Sequence, residues 1–260
     1  MLSTLLCYKA LVPALQQLPL LAYYRQNMEC ETNYLTWQQR AHYKCGALLN
    51  AIPIEWHIAD APDIDERPNV IDWPRLVLSR DALTITETSP LAILANIHAS
   101  IWSAEDVTRA FCHRAAVAHQ LTNCLTEVLF DAAISKAQEL DQYHQNTGNL
   151  KGPLHGLPMS FMDRFRIAGA ETSAGFVSWL GQKELHNAEG PVVAYMRELG
   201  AIPFCKTNVP QSLMLGNTTN NIFGRTLNPY NRKLSAGGAA GGRCLKFPTS
   251  KSRSGLTHSR

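Results

Sequence analysis

Two short apolar runs, Leu157-Pro-Met-Ser-Phe-Met162 (LPMSFM) and Gly200-Ala-Ile-Pro-Phe-Cys205 (GAIPFC), decide how this chain folds. Each has the length and β-prone apolar content of a buried strand. Between them, Gly190 to Leu199 carries a helical pattern. Strand, helix and strand in this order predict α/β layering with a sheet covered on both sides.

Upstream of these runs the pattern is helical. Tyr34–Asn50 places Trp37, Ala41, Cys45 and Leu48-Leu49 near helical spacing, with Thr36 as the N-cap. Pro53 stops that helix. Pro62, Pro68 and Pro74 then predict an extended connection over the surface. Thr88-Ser89-Pro90 opens a second helix, with a capping hydroxyl before a proline at the first helical position. Ser103-Ala-Glu-Asp106 resembles a capping box and starts a third, with Val107, Ala110, Phe111, Ala115 and Ala118 on one face. A fourth runs from Asp131 to Gln145 and ends near Gly148. No internal repeat is visible.

The bulk properties fit a globular domain with a real core. The 260 residues are 45% hydrophobic and 17% charged, with a formal net charge of +3. So small and evenly spread a charge gives no reason to expect a nucleic-acid partner. Seven cysteines lie without CxxC pairing or zinc-ligand spacing, so buried or idle thiols in a reducing compartment, the cytoplasm, are expected. The apolar N-terminus, residues 1–32, is interrupted by Lys9, Gln16, Gln17 and two prolines. It is expected to be a poorly ordered extension rather than a membrane span, with a weak signal peptide or a start at Met28 left open.

Four blocks now follow one another in order. They are DVTRAFCHRAAVAHQLTNCLTEVLFDAA (Asp106–Ala133), GPLHGLPMSFMDRFRIAGAETSAGFVSWLG (Gly152–Gly181), ELGAIPFCKTNVPQSLM (Glu198–Met214) and NNIFGRTLNPYNRKLSAGGAAGG (Asn220–Gly242). Together they resemble the amidase signature family, specifically its fungal acetamidase and general-amidase branch. The likeness runs from about Thr36 to Gly242 and implies a partial amidase-signature domain over residues 33–242. That domain is expected to be the N-terminal part of an α/β/α sandwich with a mixed sheet, preceded by helices. The sheet is expected to be incomplete, with the runs near Leu157–Met162 and Ala201–Cys205 lacking neighbours. Residues 243–260 look like an unrelated, disordered tail.

The resemblance also implies a chemistry: hydrolysis of a small carboxamide to an acid and ammonia or amine, without metal or organic cofactor. The family uses a nucleophilic serine, a second serine on a cis peptide bond, and a lysine that takes a proton through that second serine. The lysine position of the P-x-S-x-K-D motif falls on Met162, and a thioether neither accepts nor delivers a proton at neutral pH. The cis-serine position of the family's GGSSGG loop falls on Ala239, followed by Ala240. The nucleophile belongs to a GTDIGGS-like block beyond that loop, and Arg243–Arg260 has no likeness to it. No catalytic residue is therefore intact on this reading. Met214, closing the TNVPQSLM block, matches a methionine beside the acyl site and, with Ala239, is the substrate-binding candidate.

Other side chains carry less. Ser160 lacks the G-x-S-x-G elbow of a nucleophile. His155 is expected in a turn or packing role. His113 and His119 do not share a helix face cleanly, so neither is expected to hold metal. Lys206 is expected to be structural rather than a replacement base. GGAAGG is followed by no GK[ST] and lacks GxGxxG spacing, so it is neither a P-loop nor a dinucleotide turn. Three functional readings follow: an inactive or vestigial amidase relative, a working amidase on small amides, and a non-catalytic partner that self-associates or pairs with a full-length amidase.

Overall fold

The computed structural model describes residues 35–182, 188–238 and 241–242. The extension at 1–32, the tail at 243–260 and Ala239 therefore lie outside the described residues, apart from any account of their structure.

Helix α1 (Trp37–Asn50) begins where its sequence predicts. Thr36 Oγ1 accepts from the Gln39 N–H, and the Gln39 side chain accepts from the Thr36 N–H, a reciprocal capping box. The stretch after Pro53 differs from the extended connection predicted. It contains a 3-10 turn at Ile54–Trp56, a short helix α2 (Pro74–Val77) and a full helix α3 (Arg80–Glu87) capped by Ser79. Trp56 and Val70 are buried from this stretch, so it contributes core as well as surface.

Helix α4 (Pro90–His98) has Ser89 as its N-cap and Pro90 at its first position. Helix α5 (Ala104–Thr122) is capped by Ser103, whose hydroxyl accepts from the Asp106 N–H and donates to its carboxylate. Asn123, left-handed at φ 54°, ends it. Strand β1 (Leu125–Val128) follows directly, a strand the helical reading of this region passed over. Helix α6 (Phe130–Thr147) ends at Gly148, left-handed at φ 67°.

Strand β2 (Pro158–Met162) lies within the Leu157–Met162 run, strand β3 (Ile202–Thr207) begins in the Gly200–Cys205 run and extends two residues past it, and helix α7 (Pro191–Glu198) lies between them. The sheet order is β1-β3-β2, with β1 antiparallel and β2 parallel to β3. This corrects the expectation of strands without neighbours: β3 is paired on both edges. All six of its residues are buried. Because side chains alternate across a strand, both faces of the sheet are therefore covered. Helices α5 and α6 pack against each other and on β3, around a core that includes Val117, Leu125, Phe130, Ile202 and Phe204. Phe161, Ile167 and Val193 form a separate cluster. Among the described residues β2 pairs on one side only.

Two hairpins complete the described fold, β4 (Thr219–Asn220) with β5 (Gly224–Arg225) and β6 (Leu227–Asn228) with β7 (Asn231–Ser235). Asn208, just past β3, and Asn220 hold the first hairpin to the sheet. Asn220 Nδ2 donates to Asn208 Oδ1 at 2.7 Å, and Asn208 Nδ2 donates to Thr226 Oγ1 at 2.9 Å. The second hairpin reaches back to the proline-rich stretch. There, Arg232 Nη2 donates to the carbonyls of Pro62, Asp63 and Arg67, each at 2.8 Å.

Candidate functional site

Three motif regions converge where β2 and β3 end. Met162 closes β2 and lies in register with Thr207, which closes β3. Gly242 packs onto that same end: a Cβ there would sit 2.9 Å from the Asn208 nitrogen and closer still to Thr207. Only glycine fits so near another backbone. The loop before it is held by Thr218. Its Oγ1 lies 2.9 Å from the Gly237 carbonyl and accepts from the Gly241 N–H at 3.1 Å. The stretch after the 3-10 turn Gln211–Leu213 also leans on this loop, since a Cβ on Gly238 would lie 3.5 Å from the Leu215 carbonyl oxygen.

Met214 sits in that stretch with 85% of its surface exposed. The structure thus gathers Met162, the glycine loop and the Met214 stretch at one end of the sheet. It leaves Met214 on the surface and Ala239 outside the described residues. Ser160 is exposed on β2.

Beneath Met162 lies a charged network that the sequence reading did not assemble. Asp163 Oδ1 pairs with Lys206 Nζ at 2.9 Å, both side chains withdrawn from solvent. Asp163 Oδ2 accepts from the Ser173 and Ala174 N–H groups, at 3.1 and 2.9 Å, and from the Ser173 hydroxyl. This carboxylate fixes a sharp turn in which Ala174 and Gly175 are both left-handed, at φ 47° and 83°. A Cβ on Gly175 would come within 2.9 Å of Gln211 Cα, so the turn sets where the Met214 stretch begins. Lys206 also donates to Thr172 Oγ1 at 2.7 Å and to the Glu171 carbonyl. Burial lowers its pKa against the pull of Asp163. The signal available in sequence was the Asp that follows the lysine position in the family motif.

The network continues outward. Lys44 from α1 pairs with Glu127 of β1 and, at 2.7 Å, with Glu171. Burial acts to lower the Lys44 pKa, but the two carboxylates outweigh it and leave it raised. Burial raises the Glu127 pKa, since Lys44, which it shares with Glu171, and Lys206 do not together offset the desolvation.

His113 and His119 are packing groups. His113 stacks on Trp56 with ring centroids 5.2 Å apart. His119 is buried and its Nδ1 accepts from the Leu125 N–H at 3.1 Å. His155 is buried in the turn before β2. A cavity of about 460 Å³ opens between α3 and α5, lined by Trp56, Ile85, Trp102 and His113 among others, and shares no residue with the strand-end site. Among the described residues no cluster of His, Cys, Asp or Glu is arranged to hold a metal, and no helix is long and apolar enough to cross a membrane.

A strand-end site beside a glycine loop, on a mixed sheet reached through capped helices, defines a particular class of fold, and comparison with known proteins names it. The family model described as Amidase matches residues 106–244. The chain belongs to the amidase family. The acetamidase of Emericella nidulans is 42% identical over 209 residues, which is 80% of this chain and 37% of that protein. Putative amidase kk1C of Curvularia clavata is 41% identical over 213 residues, 80% of this chain and 39% of that one. Among solved structures, a fatty acid amide hydrolase superposes with a TM-score of 0.76 at 32% identity, covering 81% of this chain and 38% of the other. The chain therefore spans about two fifths of the length of the relatives it matches.

Proposed function

We propose that this chain is an amidase-family unit that binds in the manner of its relatives' N-terminal portion but does not itself hydrolyse amides. The observation that carries this reading is the chemistry at the end of β2. Met162 stands where the family motif has its proton-transferring lysine, and a thioether has no proton to move near neutrality. Lys206, on the neighbouring strand, does not replace it. Three acceptors, Asp163, Thr172 and the Glu171 carbonyl, occupy the three N–H donors of its ammonium group. An ammonium held in this way has no lone pair to accept a proton. Ala239 and Ala240 remove the hydroxyl relay as well. The reaction ancestral to the chain is the conversion of a small carboxamide to a carboxylic acid and ammonia. The thiols of Cys45, Cys112 and Cys205 are free, which favours a reducing compartment, the cytoplasm.

Ammonia release from acetamide, hexanamide and benzamide by the purified chain tests this. The expected result is the buffer blank. Turnover that scales with protein concentration, persists on repurification and disappears on heating would establish a working amidase instead.

A second reading has its own support. Met214, Leu215 and Leu234 are all exposed, and Leu215 touches the glycine loop. Together with the one-sided pairing of β2, they favour association with another chain, either a second copy or a full-length amidase. Co-purification with a full-length amidase, against a control with Met214→Ser and Leu215→Ser, separates this from a solitary unit.

A further inference from the structure

Away from the strand-end site, three histidines from three elements meet around the turn that leads into β2. His98 comes from α4, His144 from α6, and His155 from the turn itself. The rings of His144 and His155 are 5.7 Å apart. His155 is 1% exposed, and its Nδ1 accepts the Lys151 backbone N–H at 3.0 Å. That nitrogen is therefore unprotonated, with the ring's proton on Nε2. His98 Nε2 is buried with no hydrogen-bond partner. His144 contacts the Asn149 carbonyl through Nδ1, at 3.2 Å, and Ser100 Oγ through Nε2, at 3.3 Å.

The turn is tightly keyed. Gly156 and Gly200 are both left-handed, at φ 76° and 96°. A Cβ on Gly156 would meet Ala104 at 2.7 Å, and one on Gly200 would meet His155 Cα at 2.8 Å. The Leu154 and Gly156 N–H groups donate to the Leu199 and Gly200 carbonyls, and the Ile202 N–H donates to Leu157, all at 2.9 Å. The entry to β2 is thus fastened to the entry to β3 through the backbone on either side of His155.

We propose that the His98–His144–His155 cluster is an acid-sensitive latch: neutral, it holds the 152–156 turn and the start of β2 in place, and protonation releases them. A proton from solvent on His155 Nδ1 turns its acceptor into a donor facing the Lys151 N–H, and that hydrogen bond is lost. The groups facing the new charge are unfavourable. The His144 ring lies 5.7 Å away and His98 also faces it, and a positive charge on either would repel the new one. The opposing carboxylate among the described residues, Asp141, is already engaged by the Ala104 and Glu105 N–H groups at the start of α5, at 2.8 and 2.9 Å. Burial, then His144 and His98, lower the His155 pKa, with Asp141 opposing them. The neutral latch is therefore the state at neutral pH, and release belongs to the acid side of the ordinary histidine range.

Hydrogen exchange on the full chain tests this. After correction for intrinsic rates, protection across residues 150–162 is expected to fall at least about tenfold between about pH 7.5 and pH 5.5, with residues 108–118 of α5 unchanged. His155→Asn offers an amide oxygen near the position of Nδ1 and does not titrate, so its protection should be the same at both pH values. In the unsubstituted chain, the midpoint of the loss should coincide with titration of the His155 ring by nitrogen-15 NMR. Equal protection at both pH values, the same loss in His155→Asn, or ring titration without loss of protection would each overturn the proposal.

Discussion

Lys206 and Asp163 face each other at 2.9 Å from neighbouring strand ends, with side chains 0% and 2% exposed. A buried ion pair is costly to form and more costly to break, because removing one partner strands the other charge. Asp163→Asn should therefore destabilise the chain by about 3 kcal/mol or more, since it also weakens the acceptor of the Ser173 and Ala174 N–H groups. Adding Lys206→Met to that variant should restore part of the loss. Urea denaturation of the two single variants and the double variant measures the coupling, and additive losses would contradict it.

Restoring the family's polar groups should not restore the reaction. On the function proposed above, Met162→Lys with Ala239→Ser and Ala240→Ser would rebuild the base and relay. The family match ends at residue 244, however, so no residue beyond that point is matched to the block that holds the nucleophile. The triple variant should give no ammonia above blank and no covalent adduct with a fluorophosphonate probe. An adduct on intact-mass analysis would show that the chain holds a competent serine.

Two glycines should respond in opposite directions to the same added methyl group. Gly242→Ala drives a Cβ to within 2.9 Å of the Asn208 nitrogen, and such overpacking costs about 1–3 kcal/mol. Gly46 lies inside α1 with nothing within 4 Å of its added Cβ. Gly46→Ala should stabilise by about 0.5–1 kcal/mol through helix propensity. Thermal melts of both variants against the parent check the contrast.

Stability should fall as pH falls below the ordinary histidine range. Burial lowers the His119 pKa from 6.5 to about 4. Above 6.5 the ring is neutral in both folded and unfolded chains, and its contribution is fully present. As pH drops from 6.5 towards 4 the unfolded chain binds the proton and the folded one does not, so stability is lost across that window. The loss amounts to roughly 3 kcal/mol at one tenfold factor per 1.36 kcal/mol. His119→Asn should flatten the urea-midpoint profile in that window, and an unchanged profile would assign the loss elsewhere.

Local features of this fold were legible in the sequence, and non-local ones were not. Thr36, Ser89 and Ser103 announce their helices because a cap is written within three residues of itself. Helix α3 was hidden because it is short and its cap, Ser79, follows a proline-rich stretch that reads as loop. Strand β1 was hidden because its four residues, LTEV, are too few to show a period of their own between two long helices. Pairing of β3 on both edges depends on residues far apart in the chain, which periodicity cannot report. At the site, Met162 and the glycine loop were legible by motif. The turn clamped by Asp163 and the loop clamped by Thr218 required three-dimensional neighbours.

The grip of Arg232 on the proline-rich stretch also dictates a timetable. Its guanidinium reaches the Pro62 carbonyl across 170 positions of chain. At ribosomal speeds of about 5–20 residues per second, that stretch waits on the order of ten to thirty seconds after synthesis before its anchor exists. The helices behind it can form and pack in the meantime, but residues 62–67 remain open to a protease or chaperone until β7 arrives. Sealing of this early segment is thus coupled to closure of the β6–β7 hairpin, and a nascent chain halted before Arg232 would leave the 62–67 loop without its anchor.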